Sequence, residues 1–133
     1  MDENARDERL AHFRQRLEER RETLKRDLDE GERRRRREDS YAAIASEVPD
    51  SGDSSVAIHQ MDLRHAEIGR DLGELRAVEA ALVRIDEGEY GECTECGVDI
   101  PVERLEVAPF AERCVPCQTA WESQHAGGAG PTI

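Results

Sequence analysis

The chain has 133 residues, a formal charge of −12, and nearly equal shares of charged (38%) and apolar (37%) side chains, with aromatics at only 4%. So few aromatics exclude a large globular core, and no run approaches the roughly 20 apolar residues of a membrane span. Met1 to Arg9 is too charged to hold the apolar core of a secretory signal, so the reading is cytoplasmic.

The first element is a helix over about residues 5 to 48, which meets no proline before Pro49. Leu10, Phe13, Leu17, Leu24 and Leu28 recur at helical spacing, and Tyr41, Ile44 and Val48 resume the stripe after a gap. The gap contains Gly31 and the arginine run 33–37. Consecutive arginines point all round a helix, so this run reads as a solvated face.

Pro49 to Ser55 is a turn signal. Proline disfavours helix for the residue before it, and Asp53, Ser54 or Ser55 can cap a new helix. This second helix carries Met61, Ile68, Leu72, Leu75, Val78, Leu82 and Ile85 up to about Glu87, where Gly88 and Gly91 end it. Two such helices joined by a short turn form an antiparallel coiled-coil hairpin, with facing positions summing to about 103. Arg20, Gly31, His65 and Glu79 are the weak points expected in its seam.

The third region is a compact module around Cys93-x2-Cys96-x17-Cys114-x2-Cys117, followed by a short helix over Val115 to Gln124. In a reducing compartment two Cys-x-x-Cys pairs favour metal over disulfides. Two residues between thiols let one tight turn aim both sulfurs at a single tetrahedral ion, and Gly97 supplies the positive φ such a turn needs. The expectation is one structural zinc ion, whose closed four-thiolate shell leaves no position for a reactive water and implies no enzyme. Trp121 is expected to anchor this module. His12, His59, His65 and His125 lack ligand spacing and read as surface or seam residues.

The fold class is therefore mainly α: a long hairpin over residues 1–88 with its tip at about 49–55, a four-cysteine module with a C-terminal helix over 89–125, and a Gly-rich disordered tail over 126–133. Charge is uneven along it. Residues 1–38 hold 13 basic and 12 acidic side chains, and residues 39–133 hold 6 and 19. The acidic part repels duplex phosphates, which argues against direct sequence-specific DNA binding. A zinc-stabilised protein-interaction adaptor and a redox- or zinc-responsive regulator are the alternative readings.

Gly88-Glu89-Tyr90-Gly91-Glu92-Cys93-Thr94-Glu95-Cys96-Gly97, then Ile100, Arg104-Leu105, Pro109 and Cys114-Val115-Pro116-Cys117, closely resemble the DksA/TraR family of bacterial transcription regulators. That family places a coiled-coil hairpin before its finger, with a D-x-x-D-x-A motif at the tip. Asp50-Ser51-Gly52-Asp53-Ser54-Ser55 stands in that place, with Asp53 40 residues before Cys93. The resemblance implies a monomer that binds RNA polymerase and inserts the hairpin into its secondary channel, so that Asp50 and Asp53 act near the catalytic magnesium. Ser55 replaces the motif's alanine, which implies a differently tuned tip. Longer members act with guanosine tetraphosphate through basic residues. Arg70 matches one such position as a nucleotide contact, but Ala77 and Gln118 stand where those members carry lysines, so the resemblance does not carry that dependence across.

Overall fold

The structure, a computed structural model, describes residues 2–45 and 51–125, and of residues 2, 42, 45 and 51–57 the backbone alone. Four helices follow in order: α1 (Asp2–Ala45), α2 (Ser51–Glu87), α3 (Val102–Val107) and α4 (Val115–Gln124). Among the described residues there is no strand, only an isolated antiparallel bridge between Glu92 and Asp99. α2 starts at Ser51, ahead of the capping positions expected at 53–55. Gly52 costs about 1 kcal/mol in a helix, too little to hold off a cooperative element of this length. Asp50 and the tail 126–133 lie outside the described residues.

Contacts divide the chain into two units, one of Met1–Arg21 with Arg76–Ile133, the other of Glu22–Leu75. In the first, the start of α1 runs antiparallel to the end of α2, and an exposed ion pair joins Arg14 to Asp86 at 2.8 Å. Phe13, Leu17, Val78, Ala81, Leu82 and Ile85 are buried there, and so are Tyr90, Ile100, Leu105, Ala108 and Ala111 from the cysteine module. One apolar core thus serves both the helix ends and the module. Burying each large side chain contributes about 1.5–3 kcal/mol.

In the second unit α1 and α2 are again antiparallel, but polar residues share the seam with apolar ones. Glu38 faces Arg64 at 3.7 Å, and a methyl group at Gly31 would meet Ile68 Cγ1 at 3.3 Å. Facing positions here sum to 99 for Gly31 with Ile68 and to 102 for Glu38 with Arg64, one to four below the expected 103. Gly31 is buried at a point of close approach to Ile68 rather than a gap in the seam. Arg20, His65 and Glu79, expected to interrupt the seam, are exposed. Tyr41, Ile44 and Leu72, expected inside it, are also exposed, at 59%, 65% and 39%. Leu28, Met61, Ile68 and Leu75 are half-buried as expected of seam residues, and Arg35, Glu38, Arg64 and Asp71 are half-buried beside them.

The arginine run resolves into local pairs at helical spacing. Arg34 meets Glu30 at 3.0 Å, and Arg35 meets Glu32 at 2.9 Å and Asp39 at 3.1 Å. The Arg34 hydrogen bond holds the Glu30 carboxyl below the usual carboxylate range. Such solvent-accessible pairs within one helix contribute little to stability, typically below about 1 kcal/mol each.

Candidate metal centre

The chain enters the module through a helix stop. Gly88 has φ +77°, its N–H bonds to Ile85 O at 3.2 Å, and the Glu89 N–H bonds to Arg84 O at 2.8 Å. These are the two bonds of a Schellman cap, which needs the left-handed conformation that glycine adopts without strain. Tyr90 comes directly after. Its ring lies 5.7 Å from Phe13 and its hydroxyl donates to Pro109 O at 2.7 Å. Burial pushes the phenol well above its ordinary range, so it stays a donor at physiological pH.

The first cysteine pair sits on a tight loop. The Cys93 N–H bonds to Val98 O at 2.8 Å, and the Gly97 N–H returns to Cys93 O at 2.9 Å. Gly97 takes φ +78°, as its place after the pair requires. The second pair opens α4, with Cys114 at the N-cap, a proline in the first turn, and the Gln118 N–H on Cys114 O at 2.9 Å. The Thr94 N–H bonds to Glu112 O at 2.9 Å and joins the two loops, while Arg104 Nε from α3 donates to Arg113 O at 3.0 Å.

The result brings all four predicted ligands together. Sγ atoms of Cys93, Cys96, Cys114 and Cys117 lie within 4.8 Å of one another, and Cys96 to Cys114 is 3.7 Å. A disulfide needs about 2.05 Å, whereas a tetrahedral ion with Zn–S bonds of about 2.3 Å sets its sulfurs about 3.8 Å apart. Cys93 and Cys114 are buried, Cys96 exposed and Cys117 half-buried. Burial opposes ionisation of Cys93, but hydrogen bonds from the backbone at Cys114, Cys96 and Glu95 outweigh it and lower the thiol to about 6. Hydrogen bonds with the thiols of Cys114 and Cys96 push Cys117 up to about 12. Four sulfur donors this close cannot all ionise without a cation among them, so the donor set and its spacing fit zinc.

Other predicted residues are placed differently. Trp121 is half-buried rather than an anchor: α4 has no buried residue, and the indole stacks on exposed His125 at 3.9 Å. Phe13 and Tyr90 anchor the module instead. Arg70 is exposed. Asp53 and Ser55 lie on α2, but their side chains, like all of Asp50, are outside the described residues. Neither α3 nor Leu105 within it is signalled by periodicity. Six residues are too few to show a period, and Pro101 just before the helix is the only cue.

Comparison with known proteins agrees with this geometry. Residues 88–122 match the prokaryotic dksA/traR C4-type zinc finger, and the module accordingly holds one structural zinc ion. The RNA polymerase-binding transcription factor DksA of Escherichia coli K12 is 30% identical over 121 residues, which cover 91% of this chain and 76% of that protein. Its namesake in Haemophilus influenzae is 30% identical over 82 residues, 62% of this chain and 57% of that one. In fold, the transcription factor DksA2 from Pseudomonas aeruginosa aligns with TM-score 0.69 at 24% identity, over 88% of this chain and 85% of that one. An RNA polymerase binding protein from Chlamydia trachomatis aligns with TM-score 0.53 at 23% identity, over 92% and 96%.

Proposed function

Because this chain belongs to the DksA/TraR family of C4-type zinc-finger proteins, we propose that it binds RNA polymerase directly and regulates transcription initiation. One observation carries the reading: the alignment to a relative named for polymerase binding spans 91% of the chain, hairpin and finger alike, not the finger alone. Zinc in a closed thiolate shell maintains the fold and performs no reaction. The protein is then a regulator rather than an enzyme, and its place of action is the cytoplasm, where its partner works. Among the described residues, no helix is long and apolar enough to cross a membrane.

In this reading the hairpin enters the secondary channel of the polymerase. Asp50 and Asp53 present negative charge close to the catalytic magnesium, and Ser55 tunes that effect. The finger end docks outside the channel. Arg70 is the one candidate contact for guanosine tetraphosphate and stands without the lysines that would help it hold so highly charged a nucleotide, so the reading does not rest on that ligand.

The test is in vitro transcription with purified polymerase, beside a pull-down competed by another channel-binding factor. The D50N/D53N double variant keeps the capping chemistry and removes both charges. Retained polymerase binding with lost regulation is the expected result. Unchanged regulation by the double variant removes the tip from the mechanism, and failure to bind polymerase at all removes the function.

A further inference from the structure

We propose that Arg113 is a positioning residue of the metal centre, holding the two Cys-x-x-Cys loops together and offsetting the charge of the zinc-bound thiolates. Four thiolates on a divalent ion leave the cluster at about −2. Its surroundings are already acidic, since residues 88–125 hold eight acidic side chains and two arginines, Arg104 and Arg113. Both arginines converge on the step just before Cys114. Arg104 donates to the carbonyl of residue 113, and Arg113 spreads its own guanidinium across three parts of the module.

The Arg113 side chain is only 14% exposed. Its Nη1 meets Glu112 at 2.8 Å, and its Nε approaches Glu95 at 3.5 Å, inside the first cysteine loop. The same guanidinium lies over the ring of Trp121 on α4, the helix that carries Cys117, 4.9 Å from its centroid. One planar cation thus touches the loop of Cys93 and Cys96, the approach to Cys114, and the helix of Cys117. Arg84, at the end of α2, faces the other side of Glu112 at 3.8 Å. A desolvated guanidinium is costly unless negative charge lies close to it. Glu112 at 2.8 Å supplies part of that charge but is 41% exposed and shared with Arg84, and Glu95 at 3.5 Å is 55% exposed, so both are partly screened. Arg113 adjoins the ligand Cys114 in the chain and contacts the elements that carry the other ligands, so on this proposal the zinc-bound thiolates add the remaining negative charge and the cation favours metal binding in turn.

The test measures zinc affinity of the full chain by competition with a chromophoric chelator. R113M is expected to bind zinc 10- to 100-fold more weakly, the loss typical when a residue supporting metal ligands is removed. R113K is expected to recover part of that loss, because it restores the charge but not the planar fork. E112Q, which removes a partner of Arg113 but also a nearby negative charge, is expected within about threefold of the parent. Unchanged affinity in R113M overturns the proposal, as do equal losses in R113M and R113K. A loss in E112Q matching that in R113M overturns the charge role. Should R113M fail to fold at saturating zinc, R113K against E112Q still decides it.

Discussion

The cysteine-bearing unit and the unit of residues 22–75 are built on the same two helices and spend them differently. In the first, α1 and α2 bury Phe13, Leu17, Val78, Ala81, Leu82 and Ile85. In the second, Leu24 is the one fully buried large side chain among the described residues, and Glu38 with Arg64 occupies the seam. Glu38 Oε2 and Arg64 Nε are buried there without a hydrogen bond among the described residues. Such a pair contributes little and can cost stability. Apolar contact and metal hold one unit, while helix formation and a tolerant seam hold the other. Stability should therefore be unevenly distributed, with local opening easiest in residues 22–75.

Metal removal is the largest test of that contrast. Structural zinc contributes about 10–16 kcal/mol in small modules, comparable with the whole stability of a domain. Chelation should abolish amide protection over residues 89–125 and leave that of 22–75 nearly unchanged, with zinc restoring the former. Equal loss in both would show one cooperative unit and remove the distinction. Next in size, Phe13→Ala should cost about 3–5 kcal/mol in urea denaturation. Met61→Ala, at a half-buried position in the second unit, should cost about 1 kcal/mol or less.

Tyr90 gives the contrast a pH signature. Its folded phenol titrates above the ordinary value of about 10. The stabilisation it supplies is fully present below pH 10 and is lost as pH rises above it. Tyr90→Phe should flatten that alkaline slope in the first unit. It should also cost about 1–3 kcal/mol at neutral pH by leaving Pro109 O without its donor. Protection in residues 22–75 should not follow either change.

Some features are legible in the sequence to the residue, and others are not. The end of α2 at Glu87, the bounds of α4 and the four ligands belong to the first kind, because glycine caps, a first-turn proline and cysteine spacing act over a few residues. The seam belongs to the second. Apolar periodicity shows which side chains want cover, but not which find it, so it points Tyr41, Ile44 and Leu72 inward although they lie outward. Arg35 and Arg64 are half-buried, and long charged side chains of this kind can cover apolar surface that a count of apolar residues overlooks. Size alone recommends Trp121 as an anchor, whereas the smaller Tyr90 has the better position beside Phe13.

The smallest test concerns glycines that weaken α2 in the second unit. Gly69 and Gly73 are exposed, and a methyl group added at either would meet nothing within 4 Å. Each costs the helix about 1 kcal/mol relative to alanine. Gly69→Ala and Gly73→Ala should therefore stabilise by about that much each, nearly additively, and slow amide exchange over residues 58–75. Gly31→Val should do the opposite, since the added atoms press on Ile68 from 3.3 Å. The alanine pair also separates stability from function. If polymerase binding survives in the stiffened protein, these glycines are neutral gaps in a helix that needed no more strength. If binding weakens while stability rises, the looseness of residues 22–75 belongs to how the hairpin is used.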